Sequence, residues 1–142
     1  EAPEVQQRVR GYTDALEQAG IGFDPALMVP AHFTVESSQA AVDAPLARRT
    51  SFDGIVAASD LIALGAIRSL LHHGIRVPEE VSVVGYHDVP FARYSRPSLT
   101  TIAQDTERAG RLLVSKLLDT GGGGMRSERL PAYLIVRESC GG

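Results

Sequence analysis

A chain of 142 residues has room for one domain with a real core and is too short for two ordinary ones. Its 44% hydrophobic and 22% charged residues are the make-up of a globular domain, and no run approaches the roughly 18 apolar residues needed to span a bilayer, so no membrane segment is expected. With 14 basic against 17 acidic residues the net charge is -3, which provides no uniform cationic field for phosphate backbones and argues against nucleic-acid binding by this chain.

The elements follow in chain order. Residues 4–19 place Val5, Val9, Tyr12, Leu16 and Ala19 at helical spacing, with Pro3 near the start and Gly20 where a left-handed cap belongs. After Gly22, Phe23, Asp24 and Pro25, the apolar run Leu27, Met28 and Val29 ends at Pro30 and reads as a buried strand. Thr34 is placed to cap a second helix, with Glu36 in its first turn, until Pro45 interrupts or kinks it. Residues 52–58 (FDGIVAA) form a continuous apolar run, the pattern of a strand covered on both faces. Asp60 is assigned as the cap of the next helix, which carries Leu61, Leu64, Ile67, Leu70 and Leu71 inward and stops at Gly74. Residues 81–86 form another apolar strand, and the helix between makes a parallel crossover the expected connection.

Residues 87–98 hold Pro90 and Pro97 without periodicity and are expected as a loop leaving the C-terminal end of a strand, where ligand crevices of open α/β sheets lie. Residues 99–103 form a short strand. Asp105 or Thr106 caps a helix with Ala109, Leu112, Leu113 and Leu117 on one face. The glycines 121–124 read as a flexible surface linker, because ordering four of them is entropically costly. The last strand is expected over residues 133–137. The fold class expected is α/β: a three-layer, Rossmann-like, mostly parallel sheet with helices on both faces.

Few residues offer chemistry. The single cysteine, Cys140, excludes an internal disulfide and a multi-cysteine metal site, suits a reducing cytosol and is read as incidental. His72 and His73 are adjacent on a helix, so their side chains diverge by about 100° and cannot share a metal; they read as a solvated helix end. His32 has no ligand partner at zinc spacing. Ser59, His87 and Asp88 invite a hydrolase reading because both segments end strands, but Ser59 lacks the Gly-x-Ser-x-Gly elbow. Neither a Walker loop nor Gly-x-Gly-x-x-Gly is present, and no cofactor or metal is expected. The residues alone therefore lead to an α/β domain with Ser59 and the His87 loop at the rim of a crevice.

Five segments, Arg8-Val9-Arg10-Gly11-Tyr12, residues 52–65 (FDGIVAASDLIALG), 74–88 (GIRVPEEVSVVGYHD), 97–105 (PSLTTIAQD) and 130–139 (LPAYLIVRES), together resemble the effector-binding region of the lactose-repressor (LacI/GalR) family of transcription regulators. The resemblance implies a periplasmic-binding-protein-like fold with a small molecule clamped between two lobes. It implies that residues 1–104 are the C-terminal effector-binding lobe, that residues 105–129 are a crossover helix and Gly-rich linker belonging with an absent first lobe, and that residues 130–142 are a returning strand and tail. The chain opens at Glu1 without an initiator methionine and is expected to be a piece of a longer protein.

Carried over position by position, the resemblance implies effector contacts from Arg8, Phe33, Ser59, His87 and Asp88, with Asp60 as a helix cap. Where many relatives carry two aspartates, this sequence has His87 before Asp88. That exchanges a fixed acceptor for a group that can donate and can charge, and it favours an effector with an acidic or carbonyl acceptor. The resemblance also implies a homodimer through Leu61, Leu64, Arg68 and Leu71 with Arg93 and Tyr94 nearby. The expected function is ligand sensing by a cytoplasmic repressor, with a sugar, purine or small carboxylate as effector and operator DNA bound only through a domain outside this chain. A periplasmic sugar-binding protein of a transport or chemoreceptor system is the alternative.

Overall fold

Three parallel strands, β1 (Gly54–Val56), β2 (Ser82–Tyr86) and β3 (Thr100–Gln104), lie side by side in chain order, and β4 (Ala132–Ile135) joins β3 antiparallel. The structure is a computed structural model that describes residues 3–32, 34–118 and 127–142. Val56 pairs with Val84, Val84 with Thr100, and Tyr86 with Ile102, while Ile102 meets Leu134 across the antiparallel edge. The mostly parallel sheet is the one expected. β2 is central, and its alternation shows why: Val83 and Gly85 are buried on one face, whereas Val84 and Tyr86 on the other are half-buried.

The helix α3 (Asp60–His72) connects β1 to β2, as a parallel pair requires, and α2 (Val35–Ala47) packs on it. Together with the sheet they bury Val42, Ala63, Ala66, Ile67, Leu70, Val81, Val83 and Leu99. Thr34 caps α2 as expected, its hydroxyl accepting from Ser37 N at 3.1 Å. Pro45 does not stop the helix. It lies in the last turn with its ring buried, so the missing donor costs little before the helix ends at Ala47.

Several local expectations are corrected. Leu27, Met28 and Val29 form no strand: Asp24 accepts from Ala26 N at 2.9 Å and starts a 3-10 turn, Pro25–Leu27, which leaves all three side chains exposed. β1 is shorter than expected and covered on one face only; as the outer strand it leaves Val56 68% exposed. Ser59, not Asp60, caps α3, with Oγ accepting from Ile62 N at 3.3 Å. Leu61 and Leu71 point outward, Leu71 lying one 100° step from the buried Leu70. Within the expected loop of residues 87–98, one helical turn, α4 (Pro90–Tyr94), is fixed by the buried Ala92, whose carbonyl accepts from Leu99 N at 2.7 Å; five residues are too few to show a period.

The remaining helices sit more loosely. α1 (Pro3–Gln18) holds Val5, Val9, Tyr12 and Leu16 half-buried and closes at Gly20 with a positive φ of 71°, the expected left-handed cap. α5 (Thr106–Leu118) starts at Asp105, whose carboxylate accepts from Arg108 N at 2.8 Å, and exposes Leu113, Val114, Leu117 and Leu118. β4 begins one residue earlier than expected and ends two before Arg137. The chain after it is strapped to the sheet by Ser139, which donates to Val83 O at 2.6 Å and accepts from Thr100 N at 2.8 Å. Cys140, read as incidental, is half-buried there with Sγ 3.1 Å from Thr100 Oγ1. The glycines 121–124 lie outside the described residues. Among the described residues no helix is long and apolar enough to cross a membrane.

Candidate functional site

The C-terminal edge of a parallel sheet presents carbonyl groups and helix starts to whatever lies above it. At this edge the Ala58 carbonyl, two residues past β1, accepts from Arg8 Nη1 at 2.9 Å. The same guanidinium lies over the Tyr86 ring, 4.0 Å from its centroid, in cation–π geometry. Arg8 thus reaches 50 residues along the chain for its acceptor. The His87 ring meets Tyr86 edge-on, with centroids 5.1 Å apart. Arg8, Tyr86 and His87 thus form one polar and aromatic ledge across the ends of β1 and β2.

The loop behind this ledge has unusual backbone. His87 and Asp88 both have positive φ, 113° and 53°, a region most side chains avoid. His87 N donates to Ile102 O at 2.8 Å and Val89 N to Asp60 Oδ2 at 2.8 Å. Asp60 is fully buried; its Oδ1 accepts from Thr101 Oγ1 at 2.5 Å, and Thr101 Oγ1 lies 3.4 Å from Asp88 N as acceptor. Asp60 therefore anchors the loop to β3 and α3 rather than capping the helix. A Cβ on Gly85 would overlap Asp60 Oδ1 and come within 2.9 Å of Leu99 Cδ2, so glycine is required beside that carboxylate.

The Asp88 carboxylate accepts from Arg137 Nη2 at 2.7 Å, and both side chains are largely shielded. Ser59 is 4% exposed, its hydroxyl engaged in the helix cap, and no hydrogen bond joins it to His87. Phe33 lies outside the described residues. The structure thus brings Arg8 and His87 together around Tyr86, pairs Asp88 with Arg137 and keeps Ser59 buried in the α3 cap. Tyr86, Thr101 and Arg137 were missed by sequence reasoning. An aromatic ending a parallel strand could have pointed to Tyr86; nothing local points to Arg137, whose partner is 49 residues away.

The remaining candidates lie on α3 and α4. Leu61, Arg68 and Leu71 are exposed along α3, with Leu64 partly buried against the core, and Arg93 and Tyr94 are exposed on α4, Tyr94 at 78%. A shallow cavity of about 250 Å³ is lined by Asp88, Val89, Pro90, Arg93 and Tyr94, between this turn and the backbone that leaves β2. His73 sits at the C-terminus of α3, with Nδ1 2.9 Å from Ser69 O and 3.7 Å from Asp43 Oδ1, in keeping with a helix-end role; His32 is exposed.

A family model described as a periplasmic binding protein-like domain matches residues 1–140. The chain is 40% identical over 136 residues to the HTH-type transcriptional regulator CelR of Thermobifida fusca, covering 94% of this chain and 40% of that protein. It is 33% identical over 142 residues to the HTH-type transcriptional repressor CytR of Escherichia coli K12, covering 98% of this chain and 42% of that protein. A crystal structure of a sugar-binding LacI-family transcriptional regulator from Escherichia coli, complexed with phosphate, matches with a TM-score of 0.88 at 32% identity, over 98% of this chain and 51% of that one. The chain belongs to the LacI family of periplasmic binding protein-like domains. The CelR–cellobiose complex matches this LacI-family domain with a TM-score of 0.83 at 40% identity, over 93% of this chain and 41% of that one. The domain spans about 40% of the length of the curated relatives it matches. The family and fold expected from the five sequence segments are those found.

Proposed function

We propose that this LacI-family domain is the effector-sensing and dimer-forming part of a cytoplasmic transcriptional repressor, and that it binds a small molecule rather than transforming one. The observation that carries this reading is the Arg8 guanidinium, held at the sheet's C-terminal edge by the Ala58 carbonyl and the Tyr86 face, beside the exposed His87. Anchored in this way, Arg8 keeps further N–H donors for an oxygen-rich ligand, and a preorganised donor loses little entropy on binding. His87 adds a second group able to donate to an acidic or carbonyl oxygen. Ser59, Asp88 and Phe33 complete the proposed site, Phe33 as a ring-stacking partner.

On this reading residues 1–104 are one lobe of a clamp, α5 belongs with the other lobe in the longer protein, and residues 130–142 return to the first. The exposed leucines of α5 support that division, because a soluble domain rarely leaves such a stripe uncovered. The exposed Leu61, Arg68, Leu71, Arg93 and Tyr94 support a homodimer on the α3–α4 surface, with Leu64 beneath them. A ligand that prefers the closed clamp would change the spacing of paired DNA-binding heads and so couple its binding energy to operator affinity.

The test is a thermal-shift screen of the full-length protein against sugars including cellobiose, purines and small carboxylates. A ligand at 100 times its Kd contributes about 2.7 kcal/mol to the folded state and raises Tm measurably. The expected result is a hit whose affinity falls at least tenfold in both Arg8→Ala and His87→Ala. A hit unchanged in both variants, or no hit across the set, would remove this site.

A further inference from the structure

We propose that Arg137 is the positioning residue of the effector-side loop: by holding Asp88 it fixes the left-handed pair of residues 87 and 88, so that the His87 imidazole is presented to the crevice from a rigid backbone. The inference rests on the sensing role proposed above and assigns Asp88 a supporting part in it.

Arg137 is tied down at both ends. Its backbone N donates to Thr100 Oγ1 at 2.7 Å, and its carbonyl accepts from the same hydroxyl at 3.0 Å, which locks the residue in register with β3. Its guanidinium then spans two acceptors, with Nη1 donating to Leu99 O at 2.8 Å and Nη2 to Asp88 Oδ1 at 2.7 Å. The side chains are only 11% and 21% exposed for Arg137 and Asp88, so the pair is poorly screened and removing either partner strands the other's charge.

The loop needs such a hold. Non-glycine residues with positive φ persist where the surroundings over-determine them. The other bonds that fix this turn come from β3 and α3 and reach only its backbone: Ile102 O takes His87 N, Thr101 Oγ1 faces Asp88 N, and Asp60 Oδ2 takes Val89 N. Among the described residues the Asp88–Arg137 pair is the hydrogen bond that grips a side chain of the turn, and it does so from the segment leaving β4. Arg137 thereby links the antiparallel edge of the sheet to the ledge of Arg8, Tyr86 and His87, without itself touching the ligand position.

Backbone amide exchange on the full chain, without ligand, tests this assignment. Arg137→Met and Asp88→Asn are each expected to accelerate exchange of the His87, Asp88 and Val89 amides at least tenfold, with the Leu70 and Val83 amides unchanged. Arg137→Lys, which retains charge and one donor, should recover part of the protection. The double variant Arg137→Met/Asp88→Asn should exchange no faster at these sites than the quicker single variant, because the two residues act as one contact. Unaltered exchange at residues 87–89 in both single variants, or additive effects in the double variant, would overturn the assignment. Should Arg137→Met fail to fold, the nearly isosteric Asp88→Asn and the conservative Arg137→Lys carry the same test. Loop exchange that responds as expected, combined with ligand binding indifferent to His87, would refute the sensing role and leave the positioning role intact.

Discussion

Removing the Asp60 carboxylate should be among the costliest single changes in this domain. The side chain is fully buried and serves two donors, Thr101 Oγ1 at 2.5 Å and Val89 N at 2.8 Å. A hydrogen bond to a charged acceptor nets about 1.5–3 kcal/mol, so two give about 3–6, and recovering the carboxylate's own desolvation penalty draws Asp60→Ala toward the lower end, about 3–4 kcal/mol. Asp60→Asn keeps one acceptor but turns an NH₂ toward Thr101 and strands the threonine proton, for a cost of about 2 kcal/mol. Urea denaturation followed by far-UV circular dichroism reads both, with the m-value unchanged if only the native state is affected. If half of the effect runs through Thr101, Asp60→Ala in a Thr101→Val background should cost only the Val89 bond, so the double variant falls well short of additivity. A loss below about 1 kcal/mol for Asp60→Ala, or full additivity with Thr101→Val, would refute the argument that Asp60 anchors the loop.

Leu70→Ala should cost about 2–5 kcal/mol, measured by the same denaturation, because Leu70 is fully buried where α3 meets the core. Glu138 accepts from Ser98 N at 2.8 Å and Ser98 Oγ at 2.9 Å, which holds its carboxyl below the ordinary glutamate value of 4.5. A carboxylate with a lowered folded-state pKa stabilises fully above 4.5 and loses that contribution as pH falls through the lowered value, so Glu138→Gln should show a shallower fall of Tm over that acid range. Leu113→Lys with Leu117→Lys should leave the melting temperature of this chain nearly unchanged, since both side chains are exposed on α5, while reducing self-association in analytical ultracentrifugation.

The parallel crossover and the helices α1, α2, α3 and α5 were legible because each rests on local pattern: an apolar run over residues 81–86, capping residues at Thr34 and before α3, and glycines with positive φ at Gly20 and Gly74. The misreadings of burial share one cause. Leu27, Met28, Val29 and the outer face of β1 were apolar enough to be buried, but hydrophobicity records a capacity for burial without saying what covers it. The cap was placed on the wrong one of two adjacent capping residues because Ser59 and Asp60 are equally good by type. The difference lies in Thr101 and Val89, two donors remote in the chain that require the carboxylate.

The candidate site was legible one residue at a time and illegible as an arrangement. His87 could be singled out by type and by the strand end it follows, whereas Arg8, inside α1, was reached only through the family resemblance. What fixes them is a set of contacts spanning 41 residues from Thr101 to Asp60, 49 from Arg137 to Asp88 and 50 from Arg8 to Ala58, none of which leaves a periodic trace. The same topology that hides these contacts makes them useful. β3 sits between β2 and β4, so a loop leaving β2 is gripped from its own sheet neighbour through Thr101 and from the next strand's exit through Arg137. A turn held from both sides keeps left-handed residues that a free loop would relax, and a rigid turn keeps His87 beside Tyr86 before any ligand arrives, which is the condition under which binding energy is not spent on ordering the site.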